Sequence, residues 1–98
     1  MNIEKHYIED FLIGIDFKKI QYNDDYAIFE KRLKYYNDIL EILIDYKKPD
    51  NNFEFTIFLN DETKVFEGSA KTKIKNILDF KKIVLRIIDF ADDFTLFL

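Results

Sequence analysis

From Asp24 to Lys47 the chain runs without a glycine or a proline, and its apolar side chains recur at spacings of three and four. Phe29, Leu33, Tyr36, Leu40 and Leu43 make one row, and Ile28, Tyr35, Ile39, Ile42 and Tyr46 make a second beside it. Such spacing belongs to a helix face. Asn23 suits an N-cap, Asp24 and Asp25 suit the positive helix start, Lys47 and Lys48 suit the other end, and Pro49, the chain's one proline, stops the run. The pattern predicts a long central helix over residues 24–47. Two rows are more than one packed face needs, so the helix either presents a broad face to the core, the simpler reading, or shares a row with a partner.

Beyond Pro49 the period changes. Phe53, Phe55, Ile57 and Leu59 alternate with Glu54, Thr56 and Phe58, which predicts a strand over Asn52–Leu59. Asn60, Asp61 and Glu62 then form a turn and Thr63 to Glu67 return as a second strand, a hairpin with no glycine in its turn to set type or register. Gly68 and Ser69 close the hairpin, with Ser69 placed to cap a helix carrying Ile74, Ile77, Leu78, Leu85 and Ile88. That helix either reaches Ala91 or breaks after Asp79 and leaves Ile83 to Phe90 as a strand, since β-branched residues crowd there. Phe94 to Leu98 reads as a terminal strand.

Residues 1–22 support two readings. Ile8, Phe11, Leu12 and Ile15 have helical spacing, whereas Phe11, Ile13, Ile15 and Phe17 alternate across Gly14. The expected architecture is therefore a single small α+β domain spanning residues 1–98. It has a long central helix, a β-hairpin and a second helix packed on an antiparallel sheet. A strand at 11–17 makes it a ferredoxin-like βαββαβ fold; a helix there makes it a hairpin-centred domain with three helices.

At 98 residues, 48% hydrophobic and 35% charged, the composition is that of a globular domain able to fold alone. With no cysteine there are no disulfides or thiolate metal sites, which fits a reducing cytoplasm. No basic leader precedes an apolar core and cleavage site, and no apolar run nears the roughly 20 residues of a membrane span, so the expected setting is cytoplasmic, away from membranes. Thirteen lysines to two arginines, with many Ile, Asn, Phe and Tyr, is the usage that AT-rich coding produces, as in a low-GC bacterium or its phage.

Catalytic sites draw heavily on His, Cys and glycine-rich turns, and here there are one histidine and two glycines. Asp50 with Glu62-Thr63-Lys64 has the residue types of a Mg²⁺ nuclease site, but the hairpin separates the two carboxylates by roughly 30 Å, at about 3.3 Å per residue. Asp16-Phe17-Lys18 and Asp79-Phe80-Lys81 repeat the acid-x-Lys triplet by chance. Gly68-Ser69-Ala70-Lys71-Thr72 lies between strand and helix, where phosphate loops sit, yet Val65 and Ala70 stand where glycines belong. His6, Glu9 and Asp10 have helical spacing for a metal, and a solvated histidine is the simpler reading. No enzyme activity, catalytic residue, cofactor or metal is expected.

Lys71, Lys73, Lys75, Lys81, Lys82 and Arg86 are opposed only by Asp79, six charges against one. One interleaved aromatic, Phe80, and a protein of net charge −4 disfavour nucleic-acid binding there. The acidic side says more about a partner. On the expected helix Glu30, Asp38, Glu41 and Asp45 share a face, with Asp61 and Glu62 on a loop, and Tyr26, Tyr35 and Tyr46 add ring area with a hydroxyl. These nine residues are the candidate contact surface for a protein partner with a basic surface. Size, charge and the missing catalytic residues place the chain by analogy with small acidic proteins that block a larger, nucleic-acid-handling enzyme: immunity proteins, antitoxins and phage anti-CRISPR inhibitors. The alternative is a homo-oligomeric assembly module, a homodimer for instance, joined through the second helix row or the strand at Phe94 to Leu98.

Overall fold

The computed structural model describes residues 5–50, 52–70 and 75–98. Expectations resting on Lys71, Thr72, Lys73 and Ile74, or on the side chains of His6 and Asp50, lie outside the described residues. The order is helix, five strands, helix: α1 (Lys5–Gly14), β1 (Lys18–Tyr22), β2 (Tyr26–Tyr35), β3 (Asp38–Lys47), β4 (Asn52–Leu59), β5 (Thr63–Ala70) and α2 (Ile77–Phe94). All five strands form one antiparallel sheet in the order β1-β2-β3-β4-β5, so each strand lies beside its neighbour in sequence. This is an α+β domain built on a meander. The interleaved strand order of a split βαβ is absent, because no connection crosses over another strand.

The long central helix is replaced by a hairpin. Residues 26–35 and 38–47 pair along ten positions, from Tyr26 opposite Lys47 to Tyr35 opposite Asp38, around the two-residue turn Tyr36-Asn37. Read in steps of two, the same segment puts Ala27 and Phe29, then Leu40, Ile42, Ile44 and Tyr46, on one face, and all six are buried. A row at spacing three and four draws residues from both sheet faces and from the turn. In the sheet Phe29 and Leu40 face the core, Tyr36 turns the chain at φ 54°, and Leu43 lies on the opposite face. Ile28, Ile39, Ile42 and Ile44, with Tyr26, Tyr35 and Tyr46, are β-favouring residues, and cross-strand packing outweighed the helical period.

The N-terminal ambiguity resolves as a helix followed by a strand. Ile8 and Leu12 are fully buried, with Phe11 and Ile15 packed beside them. The helix ends in a Schellman motif: Phe17 N–H donates to the Leu12 carbonyl at 2.9 Å and Asp16 N–H to that of Ile13 at 3.1 Å. Asp16, at φ 72°, takes the left-handed position usually given to glycine, while buried Phe17 packs into the same core as Leu12. Asn23 caps a turn instead of a helix, its Oδ1 accepting from Asp25 and Tyr26 N–H at 2.7 and 3.0 Å.

The hairpin at Asn52–Leu59 forms as expected, and its return strand continues through Gly68 and Ser69 to Ala70, paired with Phe53. Asn60 and Asp61, at φ 53° and 60°, supply the two left-handed turn positions without glycine. Asn60 also ties the turn to β3, accepting from Ile39 N–H and donating to Asp38 Oδ1, both at 2.9 Å. Ser69 is therefore not a helix cap. Asn76 is, with its Oδ1 accepting from Asp79 N–H at 2.9 Å. Helix α2 runs unbroken to Phe94 and buries Phe80, Val84, Ile87 and Ala91, while Leu78 and Leu85 from the expected face are exposed. The expected C-terminal strand is a 3-10 turn at Thr95–Phe97.

Both helices lie on one face of the sheet. Phe53 stacks on Tyr46 with centroids 4.6 Å apart and meets Phe80 of α2 at 4.7 Å, and Phe80 meets Phe11 of α1 edge-on at 6.1 Å. Neither helix is long and apolar enough to cross a membrane.

Candidate functional site: the open face of the sheet

Because side chains alternate, burying one sheet face against α1 and α2 leaves the other half of each strand outside. Register fixes how those residues are arrayed. Ile28 lies opposite Asp45, which lies opposite Glu54; Glu30, Leu43, Thr56 and Glu67 form the next row; Arg32, Glu41, Phe58 and Lys64 form a third. Ile28, Leu43 and Phe58 thus step diagonally across β2, β3 and β4, each a diagonal neighbour of the next. All three are half-buried, on the face away from α1 and α2. The stripe has Glu30, Arg32 and Glu41 on one side and Asp45, Glu54 and Glu67 on the other.

Arg32 organises the first side. Its Nε donates to Glu30 Oε1 at 3.0 Å and its Nη2 to Glu41 Oε2 at 2.8 Å, with Asp61 Oδ1 at 3.5 Å. Glu41 is 9% exposed, and its burial pushes its carboxyl above the ordinary range, with Glu30 adding to the rise and Arg32 opposing it. The hydrogen bond that Arg32 donates to Glu30, together with the nearby carboxylates, holds the Arg32 proton more tightly than usual. On the other side Lys47 donates to Glu54 Oε1 at 2.9 Å and Lys64 to Glu67 Oε2 at 3.3 Å. Asp45 has no such bond among the described residues. Its Oδ1 is shut from solvent without a donor, as is Oδ1 of Asn52, and burial raises its carboxyl despite the attraction of Lys47.

The nine candidate residues divide. Glu30, Glu41, Asp45 and Tyr26 do share a surface, formed by two strands instead of a helix face, and Asp61 reaches it through Arg32. Asp38 does not belong with them. It falls at the start of β3 on the core side of the alternation and is held by Asn60. Tyr46 is corrected outright: at 1% exposure, stacked on Phe53, its ring is core. Tyr35 sits at the far end of the hairpin, 38% exposed and edge-on to Tyr36, and Glu62 is exposed in the β4–β5 turn. Ile28, Leu43, Phe58 and Arg32 are the surface residues that helical reasoning missed. The visible signal was the doublet alternation of residues 26–35 and 38–47.

Elsewhere, Lys75, Lys82 and Arg86 are exposed and Lys81 lies 5.4 Å over the Phe11 ring, an ordinary solvated helix flank. Gly68 and Ser69, inside β5, are not the strand-to-helix loop that a phosphate site needs. No family model matches the chain, and neither does any curated protein or solved structure.

Proposed function

We propose that this domain is a small acidic inhibitor or adaptor that docks its open sheet face onto a larger, nucleic-acid-handling protein with a basic surface. The observation that carries the reading is the diagonal stripe of Ile28, Leu43 and Phe58 set between carboxylates on an uncovered sheet face. Apolar anchors flanked by charge are how protein interfaces combine affinity with orientation. The carboxylates of Asp45, Glu54 and Glu67 favour cationic groups on the other side, and the net charge of −4 adds modest steering toward them. The proposed action is steric, in the manner of immunity proteins, antitoxins and anti-CRISPR inhibitors, in keeping with a cytoplasmic setting for a cysteine-free chain. The self-association alternative has lost both devices it rested on, since residues 24–47 are two strands and residues 95–97 a 3-10 turn.

The test is capture of a partner from a nuclease-treated lysate of a low-GC bacterium, with Leu43→Asp, Phe58→Glu and the α2 control Leu85→Glu in parallel. Wild type and Leu85→Glu are expected to retain one stoichiometric basic protein, with occupancy falling about tenfold or more in both sheet variants. Circular dichroism establishes that each variant is folded. Equal capture by all four proteins refutes the open-face reading.

A further inference from the structure

At one end of the open face, where the β1–β2 turn meets the end of β3, lies a cavity of about 520 Å³. Tyr26, Ile28, Asp25, Asp45, Lys47 and Pro49 are among its lining. This is within the size range of pockets that take a small ligand or one large side chain. Its polar lining sets the carboxylates of Asp25 and Asp45 beside the Gln21 amide and the Lys47 ammonium. Among the described residues Asp45 Oδ1, on the cavity wall, is a buried acceptor without a donor. Lys47, which lines the cavity, donates to Glu54 at 2.9 Å, and Lys48 donates to the Asn23 carbonyl at 2.6 Å. Asp25 adds a second, exposed carboxylate at the rim.

A carboxylate oxygen shut from water without a donor is costly, and a carboxylate so placed favours a ligand that brings N–H groups and a positive charge. We infer that this cavity receives an arginine side chain of the protein partner, its guanidinium paired with Asp45 and its methylene stem lying along Ile28 and Tyr26. A guanidinium fits better than an ammonium. It carries five donors in a planar fork that can meet a carboxylate with two bonds, and it packs well on an aromatic ring such as that of Tyr26. The soft terminal torsion of aspartate lets either oxygen turn to the incoming group. The inference rests on the open face being the docking surface, but a small-molecule probe tests it separately.

The experiment is a two-dimensional ¹⁵N NMR titration of the full chain with Nα-acetyl-arginine methylamide. The uncharged citrulline analogue and the lysine analogue serve as comparisons. Saturable shifts are expected at Tyr26, Ile28, Asp45 and Lys47, with a Kd of about 10 mM, as befits one unanchored side chain. Asp45→Asn is expected to weaken binding about fivefold or more, while Asp89→Asn, on the exposed side of α2, leaves it within about twofold. Three results would each overturn the pocket: no saturable shift by about 50 mM, an equal response to citrulline, or an unchanged Kd in Asp45→Asn. Binding of the lysine analogue as tight as that of arginine overturns the guanidinium assignment. A failed titration alongside partner capture that Leu43→Asp abolishes sinks the pocket alone; saturable arginine binding without any captured partner sinks the docking surface.

Discussion

Replacing Asp45 with asparagine should make the free protein more stable, which is uncommon for a substitution at a half-buried position. The side chains are nearly isosteric, so packing is kept, and asparagine leaves the orphaned oxygen where it is. What disappears is the charge. A buried polar group without a partner costs about 1–3 kcal/mol; Lys47 and solvent screening of this partly exposed carboxylate each return part of it, and the neutral amide still leaves an acceptor unpaired, so a net gain of at most about 1 kcal/mol at pH 7 is expected. For a domain of this size that upper figure corresponds to a rise in Tm of roughly 4–8 °C. Burial raises the Asp45 carboxyl in the folded state, so between the unfolded and folded values the folded chain binds more protons. Stability therefore falls as pH rises through that window, and the penalty is complete above it. The gain in Asp45→Asn should be full at neutral pH and nearly gone at about pH 3, where the wild-type group is protonated in both states. Urea unfolding of both proteins at the two pH values, followed by far-UV circular dichroism, measures this. A variant less stable than wild type at pH 7, or one with the same advantage at both pH values, would refute the reasoning.

Substitutions at three further positions probe the scaffold. Phe53→Ala removes a fully buried ring that contacts both Tyr46 and Phe80, and should cost about 3–5 kcal/mol in urea unfolding, a large share of the total stability of a small domain. Asn60→Gly loses two side-chain hydrogen bonds to β3 and should cost about 1–2 kcal/mol, whereas Asn60→Ala adds left-handed strain and should cost more; the reverse order in equilibrium unfolding would contradict the turn geometry. Asn76→Ala removes the α2 cap and should lower stability by about 1 kcal/mol, with faster amide exchange in the first helical turn as the local readout.

The parts of the fold legible in the sequence were those where one period stood alone. Phe53, Phe55, Ile57 and Leu59 alternate with little competing helical pattern, and β4 has the expected bounds. At the N-terminus Ile8, Phe11, Leu12 and Ile15 carried the helical spacing of α1, but the alternation of Phe11, Ile13, Ile15 and Phe17 competed with it and left both readings open. Between residues 24 and 47 nearly every second or third residue is apolar, because the open face carries Ile28, Ile39 and Leu43 as well as charge, and a strand apolar on both faces satisfies helical spacing too. The turn added no signal, since Tyr36 takes φ 54° where glycine or asparagine is customary. The candidate surface was half legible for a related reason. Glu30, Glu41 and Asp45 share a face in strands because their spacing within and across the hairpin preserves parity, whereas Asp38 and Tyr46 have the opposite parity to Glu41 and Asp45.

The meander also bears on how the chain reaches its native state. Every strand pairs with the one just before or after it, and the four connections are short, so the sheet can assemble hairpin by hairpin with little entropy lost to closing each loop. The contact that spans most of the sequence is the docking of α1 against α2, represented by Phe11 and Phe80. Rapid formation of the β2–β3–β4 ladder, followed by helix closure over its apolar face, is the order this topology favours. Substitutions at the helix interface should then act mainly on the rate of unfolding, and those in the central hairpins on the rate of folding.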